Sequence, residues 1–66
     1  KSERDLAIEE LFGLIENCKL IGIKYLDIEL WINNNLKTAS VKELYEHIGI
    51  LKYRKLNSHK SYNQFY

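Results

Sequence analysis

The fold of this chain is decided by its central stretch, Asp27-Ile-Glu-Leu-Trp-Ile-Asn-Asn-Asn-Leu-Lys-Thr-Ala-Ser-Val-Lys-Glu-Leu-Tyr-Glu-His-Ile48. The start of the stretch predicts a short helix with Asp27 as its N-cap, because an aspartate side chain can accept hydrogen bonds from the free N–H groups of a helix start. The three asparagines at 33–35 predict the turn that ends this helix, since asparagine bonds locally to the backbone. No residue of the stretch predicts catalysis.

A second helix is predicted to begin at Ser40. Ser40 and Glu43 have the spacing of a capping box, and the apolar residues that follow recur at helical intervals. Gly49 predicts the end of this helix, with an extension through Leu51 left open. The apolar positions of the two helices and their connection predict a core that contains Trp31, Ile32, Leu36, Val41, Leu44 and Ile48.

The N-terminal segment predicts a further helix, from a capping box at Ser2 to about Cys18, followed by Gly22 in a left-handed turn. Residues 23–26 fit either an extra helical turn or a loop, so the predicted fold class is an all-α domain of three or four helices. The apolar stripe of this first helix is about 160° wide at about 100° per residue, which is more than one short helix covers. We therefore expect self-association through Leu11, Phe12, Leu14, Ile15 and Cys18.

The length of the chain also favours self-association. Sixty-six residues form one domain at most, and so short a chain usually needs a disulfide, a metal or an oligomer for stability. A single cysteine excludes an internal disulfide, and zinc-ligand spacing is absent from the sequence. We expect no metal, no cofactor, no signal peptide and no membrane span.

Charge divides the chain into two parts. Residues 1–46 carry six Lys or Arg and nine Asp or Glu, whereas residues 47–66 carry four Lys or Arg and no acid. We therefore separate a helical domain, residues 1–51, from a basic and aromatic tail, residues 52–66. The tail predicts either contact with a polyanion or an acidic protein surface, or a solvated end that keeps the chain soluble.

The residues that carry chemistry favour binding over catalysis. Glu43 and His47 share a helix face, but a metal site needs three or four ligands. No nucleophile has an orienting base, so we expect no enzyme activity. The turn before Ser40 combines a helix start with lysines, which suits phosphate contact. The DNA-binding alternative uses Lys37, Ser40, Lys42, Lys52, Arg54, Lys55 and Lys60.

Three segments carry a resemblance to known families: Asp27-Ile28-Glu29-Leu30, Asn35-Leu36 and Ser40-Val41-Lys42-Glu43-Leu44. Their order resembles the C-terminal domain of the bacterial RNA polymerase alpha subunit and that of the telomeric Rap-interacting factor family, over about residues 20–51. The polymerase domain implies DNA binding through the turn, where only Asn35 and Ser40 match the pattern. The telomeric family implies an oligomerisation module with a protein partner bound to telomeres or chromatin.

Taken together, the sequence predicts a non-enzymatic, self-associating interaction module at the end of a larger chromosome- or telomere-associated protein. The resemblance implies a nuclear location, and without it the expected location is cytoplasmic. The expected partners are further copies of the chain and a telomere- or chromatin-bound protein, with no membrane contact. Two alternatives stay open, namely a small helical domain on the DNA phosphate backbone and a regulatory peptide that binds a partner protein.

Overall fold

Three α-helices make up the fold. The computed structural model describes the backbone of residues 1–64 and the side chains of residues 1–57. Within the described backbone the helices are α1, Glu3–Ile21, α2, Leu26–Asn35, and α3, Val41–Gln64, with no strand. The all-α prediction is therefore confirmed, and residues 23–25 connect α1 to α2 without an extra helix.

Helix α1 begins and ends at residues that its local chemistry selects. The Oγ atom of Ser2 accepts a hydrogen bond of 3.2 Å from the backbone N–H of Asp5. At the other end Gly22 has a φ of 77°, in the left-handed region that favours glycine. The carbonyl of Cys18 accepts the backbone N–H groups of Gly22 and Ile23. Because the chain reverses only at Gly22, α1 runs past the predicted end at Cys18.

The start of α2 differs from the prediction. Tyr25 is the N-cap and makes no side-chain capping hydrogen bond, so the prediction of Asp27 as N-cap is wrong. Asp27 lies inside the first turn, and its carboxylate binds Arg54 instead. The helix ends at Asn35, as the asparagine triplet predicts, and the Asn35 amide donates to the carbonyl of Trp31 at 2.8 Å.

Helix α3 begins at the predicted capping box and continues beyond its predicted end. The N–H of Glu43 donates to Ser40 Oγ at 3.1 Å, and the N–H of Ser40 donates to Glu43 Oε1 at 3.0 Å. The prediction that Gly49 or Leu51 ends the helix is wrong, since α3 reaches Gln64. Leu51 is fully buried, and this packing offsets the roughly 1 kcal/mol that a glycine costs inside a helix.

Helices α1 and α3 run in the same direction and pack directly against each other, and α2 runs antiparallel to both. The Arg4 side chain, in the first turn of α1, donates to the carbonyls of Leu36 and Ala39 just before α3. Further along both helices, Leu14 lies beside Leu56. The described helices lack the combination of length and hydropathy that crossing a bilayer requires.

The core lies where one face of each helix meets the others, and it corrects part of the predicted core. Ile32, Leu44 and Ile48 are buried, whereas Trp31 and Val41 are half-buried. Leu36 is exposed, so the prediction that it fills the core is wrong: it follows α2 in a helical conformation, and only its carbonyl is used, by Arg4. The remaining buried residues are Ala7, Leu11, Ile15, Cys18, Ile23, Ile28, Ala39 and Leu51.

Candidate interaction surfaces

The predicted interface on α1 is largely used inside the chain. Leu11, Ile15 and Cys18 are fully buried or nearly so in the core, and Phe12 and Leu14 are half-buried against it. Helices α3 and α2 together cover the wide apolar stripe of α1, for which the sequence predicted a second copy as the cover. Leu11, Ile15 and Cys18 are therefore not available to a second copy while this fold is intact. Burial also raises the pKa of the Cys18 thiol.

A different apolar surface is exposed where α1 ends and α2 begins. Leu20 is 84% exposed, Leu26 60% and Leu30 63%, and Ile21 is also exposed. Next to these side chains lies an apolar depression formed by residues 22–26, where Gly22 reverses the chain. Leu26 and Leu30 are four residues apart, so they lie on one face of α2. We call these four residues the turn patch.

A second exposed surface runs along α3, away from the core. Tyr53 and Leu56 are each 69% exposed, and Tyr45 is also exposed. Together with Gly49 they recur at intervals of four, four and three residues, which places them on one helix face. We call these four residues the α3 stripe.

Charged side chains border the α3 stripe on the side of α1. Leu14, Lys52, Lys55 and Leu56 form a shallow depression between the two helices. Lys52 Nζ lies 3.0 Å from Glu10 Oε2, across the same two helices. Both of these side chains are well exposed, so the ion pair is accessible to a partner as well as to solvent.

Arg54 holds α3 to the start of α2. Its Nη1 atom donates to the carbonyl of Lys24 at 3.1 Å and to Asp27 Oδ1 at 3.0 Å, while Nη2 donates to Asp27 Oδ2 at 2.8 Å. These hydrogen bonds lower the pKa of the Asp27 carboxyl to about 2. Asp27 in turn raises the pKa of Arg54. The contact therefore stabilises the fold and occupies the guanidinium.

Trp31 joins α2 to α3 by stacking on His47. The ring centroids are 3.6 Å apart and the planes differ by 14°. The Nδ1 atom of His47 lies 2.8 Å from the carbonyl oxygen of Glu43, which can only accept, so this nitrogen carries the proton. The Glu43 carboxylate binds Ser40 instead. Among the described residues no group of three or more His, Cys, Asp or Glu side chains could hold a metal ion.

The residues of the DNA-binding alternative do not form one surface with free charges. Ser40 is used in the capping box, and the ion pairs of Lys52 and Arg54 occupy those cations. Lys55 also has an interaction partner, and the side chain of Lys60 lies outside the described residues.

Two of those residues do keep free charges. Lys37 and Lys42 are exposed on either side of the start of α3, and neither forms an ion pair with a described side chain.

Sequence reasoning missed both the turn patch and the α3 stripe. The stripe had a signal, because Tyr45, Gly49 and Leu56 recur at intervals of four and seven residues, but the predicted helix end at Gly49 hid it. The turn patch had a weaker signal. Leu20 and Ile21 precede Gly22 at the end of a helix, and the sequence alone does not distinguish buried from exposed apolar residues at such positions.

Comparisons of this chain with protein-family models, with curated proteins and with solved structures found no match. The resemblance to the telomeric family therefore stays a prediction from the residues that carry it.

Proposed function

We propose that this chain is a non-enzymatic interaction module that binds further copies of itself and a partner protein. The observation that supports the proposal most is the turn patch, with three leucines exposed by 60% or more in a chain of 66 residues. Single exposed apolar side chains are ordinary, whereas a group of them marks a surface that another protein covers. The α3 stripe is a second such surface, made of different residues from those of the turn patch.

Self-association is tested by sedimentation equilibrium of the purified chain. We expect the average mass to exceed that of a 7.9 kDa monomer and to fall on dilution. Because Leu11, Ile15 and Cys18 are buried, an acidic substitution there would unfold the chain and could not report on an interface. A chain that stays monomeric into the high micromolar range would contradict the self-association.

Partner binding through the turn patch is tested with a displayed library of amphipathic helical peptides. We expect selected peptides to lose binding when Leu26→Glu and Leu30→Glu are combined, because two buried charges oppose docking. The matched control combines Leu6→Glu with Leu36→Glu, which makes the same change at two exposed leucines near the opposite end of the molecule, away from the turn patch. Equal binding to both double variants would show that the turn patch is not the docking surface.

A second candidate function is weak binding to the DNA phosphate backbone, which the free charges of Lys37 and Lys42 favour. Titration of a labelled duplex at two salt concentrations tests it, and phosphate contacts require binding that falls steeply with salt. The informative change is Lys37→Ala with Lys42→Ala. Removal of residues 52–66 is less informative, because it also removes the Arg54 contact that holds α2.

The setting implied by the resemblance belongs to the same proposal. A telomere- or chromatin-bound partner in the nucleus is expected if the chain acts as the end-piece of a telomeric protein. Localisation of the full-length protein by fluorescence, with and without this segment, tests that setting. Recruitment to chromosomes that is unchanged without the segment would contradict it.

A further inference from the structure

We propose that two copies of the chain pack through their α3 helices, antiparallel to each other, with the helices crossing at Gly49. The inference rests on the self-association in the proposed function, and it assigns that contact to the α3 stripe rather than to α1. The occupant of the stripe is therefore a second copy of this chain, related to the first by a two-fold axis.

Gly49 has no structural role inside a single copy. It lies in the interior of the 24-residue helix α3, and its φ is not positive, so no turn requires a glycine there. A Cβ added at Gly49 would meet nothing within 4 Å, so no neighbouring atom of the described chain requires a glycine either. Glycine weakens a helix interior relative to alanine, but it lets another backbone approach closely. The space above Gly49 is where a second helix fits.

Two-fold symmetry about Gly49 brings complementary side chains together. Each residue meets the residue that lies equally far on the other side of Gly49 in the second copy. Glu46 then meets Lys52 of the second copy, and Tyr45 meets Tyr53, with each pair occurring twice. Lys52 also pairs with Glu10 of its own copy, but its side chain is 60% exposed, so its ammonium group can contact both carboxylates. Glu46 makes no ion pair with a described side chain of its own copy. The exposed faces of Tyr45 and Tyr53 would be covered by the same contact.

The distribution of charge over the described side chains favours the antiparallel orientation. Because α1 and α3 run the same way, one end of the molecule contains residues 1–10 and 33–46, with four Lys or Arg and six Asp or Glu. The other end contains residues 14–30 and 50–57, with five Lys or Arg and three Asp or Glu. An antiparallel pair places each acidic end against a basic end, whereas a parallel pair places like ends together.

The first test replaces Gly49 by glutamine, which favours helix but fills the space above the backbone. The matched control is Gly13→Gln, since Gly13 is also exposed inside a helix with open space at its Cβ. At concentrations where the chain is monomeric, we expect both variants to melt about 4–8 °C higher than wild type. In sedimentation equilibrium only Gly49→Gln should weaken the dimer, by at least about tenfold, as substitutions at the centre of an interface do.

The second test addresses the register. Glu46→Lys should weaken the dimer, because it places like charges opposite each other twice, and adding Lys52→Glu in the same chain should restore part of the affinity. A dimer that is equally strong in wild type and Gly49→Gln would overturn the crossing while leaving self-association intact. No recovery in the double variant would overturn the register, and a monomeric wild type would overturn this inference together with the self-association.

Discussion

Helices α2 and α3 begin by different means. The first turn of α3 is capped by Ser40 and Glu43, which exchange two hydrogen bonds across three residues. The first turn of α2 has no side-chain cap of its own, and the contacts that hold it come from Arg54, 27 residues away from Asp27. The start of α3 is therefore stabilised by contacts between neighbours in the sequence, whereas the start of α2 is stabilised by a tertiary contact.

This difference predicts which part of the fold is lost first. A helix of ten residues is marginal in isolation, so α2 depends on its contacts with α3. The start of α3 carries its own cap and does not need α2 to begin. We therefore expect changes at the α2–α3 contact to release α2, and changes at the α3 cap to fray only the start of α3.

The largest effect is expected for Trp31→Ala. The half-buried indole packs on the core and stacks on His47, so its removal should lower the free energy of unfolding by about 2–4 kcal/mol, somewhat less than for a fully buried tryptophan. Urea denaturation followed by circular dichroism measures this. The control is Tyr53→Ala at a dilution that keeps the chain monomeric, since Tyr53 is exposed. Equal losses in the two variants would show that the stack does not hold α2.

The next effect is expected for Arg54→Ala, compared with Lys52→Ala in the same helix. Arg54 makes a bidentate contact with Asp27 and caps a carbonyl, so its loss should cost about 1–2 kcal/mol. Lys52 makes one exposed ion pair, which is worth less than about 1 kcal/mol. Hydrogen exchange should show faster exchange of the α2 amides in Arg54→Ala alone. If Lys52→Ala accelerated α2 equally, the contact at Asp27 would not be the anchor.

A smaller and more local effect is expected for Ser40→Ala. Loss of the capping hydroxyl should cost about 1 kcal/mol and should speed hydrogen exchange at the start of α3 without affecting α2. Ser2→Ala is the matched control, because Ser2 caps α1 with a similar hydrogen bond of 3.2 Å. Faster exchange in α2 after Ser40→Ala would show that the start of α3 is not independent.

The same division between local and tertiary contacts explains what the sequence could predict. The caps at Ser2 and Ser40 and the reversal at Gly22 depend on neighbours in the chain, and all three were predictable. The role of Asp27 was not, because an aspartate near a helix start looks like a cap whether or not a distant arginine binds it.

Two further differences also arise from contacts that are distant in sequence. The burial of Leu51 and the contact of Arg54 with Asp27 stabilise the continuation of α3 past Gly49, and they outweigh the cost of the glycine that suggested a helix end. The width of the α1 stripe correctly indicated that more than one helix covers it. The sequence could not show that α2 and α3 of the same chain supply that cover.

The smallest expected effect is a loss of stability in acid that depends on Asp27. The pKa of Asp27 is about 2 in the folded chain and about 4 in an unfolded one, so folding favours the charged carboxylate. Its contribution is complete above about pH 4 and is lost as the pH falls toward 2. The side chain of Asp27 is 44% exposed, so solvent screening limits this contribution to less than about 1 kcal/mol.

Thermal melts at pH values from 7 to 2.5 test this effect in Asp27→Asn, which should melt lower than wild type at pH 7 and approach it in acid. Glu43→Gln is the matched control at the other helix start, because the backbone N–H of Ser40 also lowers the pKa of Glu43. Its neutral amide can still accept that hydrogen bond, so we expect a smaller difference from wild type at pH 7. If Glu43→Gln removed more of the acid dependence than Asp27→Asn, the local cap would contribute more than the tertiary contact, and the comparison between the two helix starts would be reversed.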